Sequence, residues 1–489
     1  MTAAQITSLM QQDFPLLDCH CGHHCVSRTG LSTHLVACPI PRPDGWDIPP
    51  RHPIAHHDDN PPALAPPHFA PVAVDPPLSY SDLLSQFRQP VYKTHHTWKA
   101  PMATIVEDIL HKAISEDEDT ATLNIAGLHI LPGLLALHVN KRKCDNLLSP
   151  INWLRSIIAS PDYATEIIRF ARTEAAKPRR PVNAPSAWVQ PKVESLRVRT
   201  VKLMGDGRIR AASNNVTTIG GILEGKVFSE PLSGAALQQR IDLLHPANNH
   251  MDLLPPTSED PDAEPLQITP DQLRQHLYRL SFDSAAGNTG WTNSLIYALC
   301  NDRATPGFQA GLTPPSPIIS AFCALGNNML RGTIKGAGRD LLVGARLTLI
   351  DKPDGGSRPI RIECACRRWF SAAACKVAML VIGPHLRPLQ LGGGLSHGAG
   401  IGARMGGLFL HREGSSVMSV DIENAFNSTR HRTIYDSLCL YFPPLIPFFR
   451  FKYEEPSPMR NNSGNIVAHT RTGVGQGEFT SCLSQESYV

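Results

Sequence analysis

The chain lacks three things: a long uninterrupted apolar run, a basic-then-apolar leader and an internal repeat. The most apolar stretch, Leu128 to Val139, is interrupted by Pro132 and His138. It is well short of the roughly 20 residues a membrane-crossing helix needs, so no membrane partner is expected. Met1 to Phe14 has no basic segment followed by an apolar core, so no secretory signal is expected there. Net charge is also scarce. Lys and Arg total 46 against 43 Asp and Glu, a formal +3. A soluble, intracellular chain is the expectation, and net charge alone indicates no polyanionic partner.

What is present is unevenly spread. Ser320 to Val489 carries 19 Lys and Arg against 12 Asp and Glu, whereas the preceding residues carry 27 against 31. Positive charge therefore collects at the C-terminal end, where a polyanion would bind. A length of 489 residues exceeds one compact core, so two or three folded units are expected. Twelve cysteines in an intracellular chain argue for metal ligands or buried thiols rather than disulfides. Pro41 to Pro77 holds 12 prolines and reads as a disordered linker, with order resuming near Tyr80.

The middle, from about Thr97 to Ser320, reads as helices broken by Pro and Gly. Ile105, Ile109, Ala113 and Ile114 recur at helical spacing, as do Leu237, Ile241 and Leu244. Thr269-Pro270-Asp271 is a helix start, with Leu273, Leu277 and Leu280 on the following face. A Pro- and acid-rich break spans Leu253 to Pro265. Beyond Pro314 the pattern changes to short apolar runs, Leu347–Ile350 and Val417–Val420, which read as strands. Asn461-Asn462-Ser463-Gly464 is turn chemistry between Met459 and Ile466, and predicts a hairpin.

Cys19, Cys21, His34 and Cys38 can form a tetrahedral zinc site. His34 and Cys38 are four apart, neighbours on a helix surface, and twelve residues separate Cys21 from His34. Leu31 and Leu35 would form the apolar core under the metal. Cys25 is an alternative partner for Cys21, and a fortuitous Cys/His cluster in a tail is the plainer alternative. The segment CHCGHHCVSRTGLSTHLVAC resembles the N-terminal fingers of non-LTR retrotransposon proteins. It departs from them in its first pair, C-x-C where the family has C-x-x-C.

Three further segments carry candidate site residues. Leu349 to Ile360 reads strand, tight Asp-Gly-Gly turn, strand, and its flanking cations Lys352 and Arg358 can converge on one triphosphate. It resembles the K-P-D-G-x-R-P-I fingers hairpin of reverse transcriptases. Ser419 to Ser428 resembles motif A of the non-LTR enzymes, D-x-x-N-A-F-N-S. The resemblance makes Asp421 the catalytic Mg²⁺ ligand, and it makes Phe426 the bulky residue that excludes a ribose 2′-hydroxyl. Thr472 to Ser481 resembles motif B, with Gln476 and Gly477 lining the nucleotide pocket; Glu478 and Phe479-Thr480 depart from the usual Asp and Pro-Leu. Upstream, Ala285 to Thr292 resembles the family's S-A-G-x-x-G-W segment, in which Trp291 is expected to be a core anchor. The Gly392–Gly394 run lacks the Gly-Lys-Ser/Thr ending of a phosphate loop.

Polymerases work through two Mg²⁺ ions held by several acids. The 489 residues contain no Tyr-x-Asp-Asp segment, so the expectation is a truncated reverse transcriptase, inactive by itself. The expected fold class is α+β: a partial right-hand polymerase, fingers and incomplete palm, preceded by a largely helical region and a small ββα-type zinc finger. The expected organisation is a flexible N-terminus over 1–17 and a zinc finger over 18–40. A Pro-rich linker (41–90), a helical extension (91–281) and the fingers and palm (282–489) follow. Implied cofactors are Zn²⁺ and Mg²⁺. Implied partners are an RNA template, a DNA primer or target and deoxynucleoside triphosphates, with the nucleus as location. A non-catalytic nucleic-acid-binding protein derived from a retroelement is the competing expectation, and a zinc-finger regulator with a helical interaction domain is a third.

Overall fold

The computed structural model describes residues 79–91, 95–139, 149–176, 192–205, 209–223, 234–244, 253–282, 284–303, 307–309, 311–351, 357–386, 397–418, 429–461 and 464–475, and the backbone of 17–18 and 24–25. It is a mixed, mostly helical fold with one small four-stranded sheet.

In chain order the first helices are α1 (Tyr80–Gln86), α2 (His96–Lys112), α3 (Glu118–Val139), α4 (Pro150–Ile158) and α5 (Tyr163–Ala176). Next come α6 (Val193–Gly205), α7 (Ile209–Leu223), α8 (Gly234–Leu244), α9 (Pro270–Leu277), α10 (Asn293–Cys300), α11 (Pro317–Arg331) and α12 (Gly336–Val343). The last are α13 (Ala365–Leu386), α14 (Gly398–Leu410), α15 (His431–Tyr441) and α16 (Ile446–Tyr453). Contacts divide the chain into two units, Met1–Pro77 with Leu386–Glu423, and Leu78–His385 with Asn424–Val489. The first holds α14 and a two-stranded ladder of β1 (Leu17–Asp18) and β2 (His24–Cys25).

Local signals explain several starts in the second unit. Thr269 caps α9 with a full capping box, its hydroxyl accepting from the Gln272 N–H while the Gln272 side chain accepts from the Thr269 N–H. Ser79 caps α1 by accepting from the Asp82 N–H at 3.1 Å. That helix lies inside the 41–90 span read as linker, because Leu83 and Leu84 find a core to enter. The helical spacing buries Ile105 and Ile109 of α2 completely, together with Ala113 at its C-cap.

Helix α3 corrects one reading. Pro132 and His138 do not interrupt it; it runs 22 residues, long and apolar enough to cross a membrane by length and composition, with 83% of its apolar window buried inside this fold. A proline has no N–H to give the carbonyl four residues back, here Leu128. That carbonyl accepts instead from Trp291 Nε1 at 2.8 Å. Trp291 is fully buried, the core anchor the sequence predicts, and Phe322 bridges it edge-on to Trp369 at ring distances of 5.9 and 5.5 Å. Trp291→Phe keeps a ring in the core but leaves the Leu128 carbonyl unpartnered. A loss of about 1–3 kcal/mol is expected in urea unfolding.

The sheet has the order β4-β3-β5-β6, where β3 is Ala345–Asp351, β4 Ser357–Glu363, β5 Ser457–Arg460 and β6 Ile466–Thr470. β3 and β4 form an antiparallel hairpin, β5 lies parallel to β3, and β6 returns antiparallel to β5. Both sequence-predicted hairpins, around 349–360 and 459–466, are therefore present. Leu347 and Met459 pack on Ile241 of α8, with Leu237, Leu349, Val467 and Ala468 around them. The acid-rich segment 253–265 is a strap: Asp260 accepts from Tyr435 Oη at 2.8 Å and from Arg450 Nε at 2.7 Å, tying it to α15 and α16.

Candidate functional site

The β3–β4 hairpin positions the first group of site residues. Its register pairs Ala345 with Glu363 and runs out to Asp351 opposite Ser357. Side chains alternate between faces along a strand. Ala345, Leu347 and Leu349 share one face with Glu363, Arg361 and Pro359. Arg346, Thr348 and Ile350 share the other with Ile362, Ile360 and Arg358. Arg358 is exposed, the second residue of β4, opposite Ile350 at 52% exposure. A guanidinium there is open to a phosphate. Lys352, in the interval between the strands, lies outside the described residues.

More cations sit on that second face. Arg346 and Arg460 are register partners across β3 and β5. Arg460 donates to the Gly464 carbonyl at 2.8 Å and to the Ser81 hydroxyl, and burial lowers its pKa. Arg88 donates to the Asn461 carbonyl at 3.3 Å, and its pKa is lowered by burial and by the nearby Arg346 charge.

The second group flanks the other two motifs. Beyond the end of β6 the chain continues through Arg471 and Thr472 into Gly473, Val474 and Gly475, the last three buried. Gly473 has φ 73°, a left-handed conformation that L side chains rarely adopt. Its N–H donates to the Thr429 carbonyl at 2.9 Å, and its own carbonyl accepts from His431 Nε2 at 2.8 Å. Thr429 directly follows the Ser419–Ser428 segment, and Gln476 directly follows Gly475. Two flanks more than forty residues apart in sequence are thus joined by two hydrogen bonds. Asp421, Phe426, Gln476 and Gly477 themselves lie outside the described residues. Val417 and Met418 are exposed, at 49% and 38%, and form no strand. The expected palm strand over Val417–Val420 is therefore not found in its described half, because no neighbouring strand pairs with those two residues; 419–420 lie outside.

Helix α16 carries these flanks and the hairpin together. The Tyr453 ring lies 4.7 Å from the His431 ring, and Phe449 meets His431 edge-on at 6.1 Å. One residue earlier, Lys452 Nζ reaches Glu363 Oε1 at 3.6 Å, at the base of β4. Arg367 Nη2 approaches the same carboxylate oxygen at 2.7 Å. Glu363, Arg367 and Lys452 are each 3% exposed or less, so one buried carboxylate serves two buried cations. Arg339 covers the end of α16, donating to the carbonyls of Phe451 and Glu455, both at 2.8 Å.

The Ala285–Thr292 segment seats against the same base. A Cβ on Gly287 would collide with the Glu363 carbonyl and lie 2.7 Å from the Cys364 nitrogen. Thr289 Oγ1 meets Cys364 Sγ at 3.2 Å. Cys364 precedes the first turn of α13, and its pKa is held well below the usual thiol value, chiefly by the Cys366 thiol and then by His129 and Thr289. Cys300, Cys323 and Cys364 are buried thiols, as the cysteine usage predicts for part of the set.

Arg358 and the Gly473 tether lie toward opposite ends of the sheet. Ala345, Met459 and Ala468 stand in one row, whereas Arg358 pairs five residues along at Ile350. That is roughly 17 Å at strand rise from the row to Arg358, and β6 runs from the same row in the opposite direction toward Gly473.

Among the described residues no group of three His, Cys, Asp or Glu side chains could hold a metal ion. The zinc candidates Cys19, Cys21, His34 and Cys38 lie outside the described residues. The short β1–β2 ladder brackets the interval holding Cys19 and Cys21, with Leu17 opposite Cys25. Sequence reasoning missed His431, Lys452 and Glu363. His431, Ile434, Tyr435 and Leu438 do repeat at helical spacing, and all four are buried.

No protein-family model matches the chain, and no curated protein matches it.

Proposed function

We propose that this chain is a segment of an RNA-directed DNA polymerase of the non-LTR retrotransposon type, carrying the nucleotide-binding fingers and the first acid of the palm. The observation that carries the reading is the two-bond tether at Gly473, which brings the chain leaving Asp421–Ser428 beside the chain leading to Gln476. A polymerase needs these two segments on either side of one nucleotide.

In this reading Lys352 and Arg358 hold the triphosphate, Asp421 supplies the hard oxygen ligand for Mg²⁺, and Phe426 blocks a 2′-hydroxyl. Gln476 and Gly477 line the base-pair side. Bound Mg²⁺ would polarise the triphosphate and activate a primer hydroxyl. Cys19, Cys21, His34 and Cys38 hold Zn²⁺ in a finger that contacts nucleic acid. An RNA template and a DNA primer or target are the macromolecular partners, which places the work in the nucleus. These 489 residues supply one of the acids that two Mg²⁺ ions require, so the property to measure is nucleotide binding.

Titrating the full chain with Mg²⁺-dATP should give saturable binding. Arg358→Ala should weaken it roughly tenfold, as expected when a charge-assisted contact worth about 1.5–3 kcal/mol is lost. Equal affinity in wild type and Arg358→Ala would remove the hairpin from the site. For the finger, metal analysis of the full chain should find one zinc per molecule, lost on Cys38→Ser.

The competing reading, a non-catalytic nucleic-acid-binding protein, is favoured by the arginine-bearing sheet face around Arg88, Arg346, Arg358 and Arg460. It predicts salt-sensitive RNA or DNA binding without any Mg²⁺-dependent nucleotide affinity.

A further inference from the structure

We infer that His431 is a positioning residue: its Nε2 hydrogen bond to the Gly473 carbonyl fixes the approach to Gln476 against the exit from Asp421–Ser428. The inference rests on the nucleotide-site reading above and names the side chain that joins the described flanks of its two motifs.

Three observations carry it. First, the bond has a fixed sense. A carbonyl oxygen only accepts, so Nε2 carries the hydrogen; the ring is fully buried and the distance is 2.8 Å. Second, Gly473 is gripped at both backbone groups, its N–H by Thr429 and its carbonyl by His431, two residues apart on the other segment. A single bond would leave a swivel, whereas two on one glycine define its orientation. Third, the imidazole is itself held. Tyr453 lies along it at 4.7 Å and Phe449 closes on it edge-on, both from α16. Lys452 of the same helix reaches Glu363 at the base of the hairpin that bears Arg358. Ring, glycine and hairpin therefore share one mount, and a change at His431 alters the relation between the motif flanks without touching a nucleotide.

Two substitutions separate this role from core filling. His431→Phe keeps an aromatic ring in the slot and removes the donor. His431→Gln returns an amide donor close to the position of Nε2. Hydrogen exchange by mass spectrometry on the full chain, with Mg²⁺-dATP titration in parallel, reads both consequences. Exchange in peptides covering 472–477 and 424–430 should rise about five- to tenfold in His431→Phe, with peptides of the β3–β4 hairpin unchanged. Mg²⁺-dATP affinity should fall about fivefold. Both should return toward wild type in His431→Gln. Arg358→Ala should weaken nucleotide binding and leave exchange at 472–477 alone.

Unchanged exchange and affinity in His431→Phe would overturn the inference and leave His431 a space-filling ring. Equal losses in His431→Phe and His431→Gln would also overturn it, since the donor would then not be what matters. If wild type shows no Mg²⁺-dATP binding, the nucleotide reading falls and the positioning role falls with it. The exchange result then decides only whether the tether exists.

Discussion

Replacing Glu363 with alanine should cost about 3–5 kcal/mol, the range for stripping one partner from a buried ion pair. The carboxylate is 3% exposed and faces Arg367 Nη2 at 2.7 Å and Lys452 Nζ at 3.6 Å. Removing it leaves Arg367 and Lys452 buried without the carboxylate that both approach. The expected result is a urea midpoint far below wild type. Lys452→Met should cost clearly less, since Arg367 still neutralises Glu363 and a methionine can fill the aliphatic path of the lysine between Phe448 and Tyr453. Equal losses for the two variants would mean that the carboxylate is not the centre of the cluster. The position matters for function because Glu363 ends β4, the strand that carries Arg358, while Lys452 adjoins the Tyr453 ring that holds His431.

The second large effect is expected at Gly287. A methyl group there would press into the Glu363 carbonyl and the Cys364 nitrogen, both backbone atoms at the β4–α13 junction, so neither can rotate away. Overpacking of this kind costs about 1–3 kcal/mol and more where the neighbour is rigid, so Gly287→Ala should lose about 3 kcal/mol. Gly400→Ala is the control: its Cβ meets nothing within 4 Å inside α14, and the change should be neutral or slightly stabilising. A melting temperature for Gly287→Ala equal to wild type would mean that the Ala285–Thr292 segment is not seated on the hairpin base.

How much of this was legible in the sequence depended on whether the cause was local. The Thr269 cap, the apolar period through Ile105 and Ile109, and the two antiparallel strand pairs that flank the Asp-Gly-Gly and Asn-Ser-Gly segments each depend on residues a few positions apart, and the structure has them. Helix α3 does not. Pro132 reads as a break until Trp291 Nε1, 159 residues further along, takes the carbonyl the proline leaves open. Val417 and Met418 fail as a strand for a related reason. A short apolar run becomes a strand only where a neighbour pairs with it, and its own letters do not name that neighbour. At the candidate site the sequence marks the residue types that could contact a nucleotide, Lys352, Arg358, Asp421, Phe426, Gln476 and Gly477. It is silent on His431, Glu363 and Lys452, whose importance lies in contacts 42 and 89 residues away in the chain.

The central claim is that these motif residues surround one bound nucleotide. Photoaffinity labelling of the full chain with azido-dATP and Mg²⁺, followed by peptide mapping, tests it most directly. Label should appear in peptides spanning both 352–358 and 472–477, be competed by unmodified dATP, and fall when Asp421→Asn weakens the metal. Label confined to one of the two segments, or indifferent to Mg²⁺ and to Asp421→Asn, would contradict a shared nucleotide site.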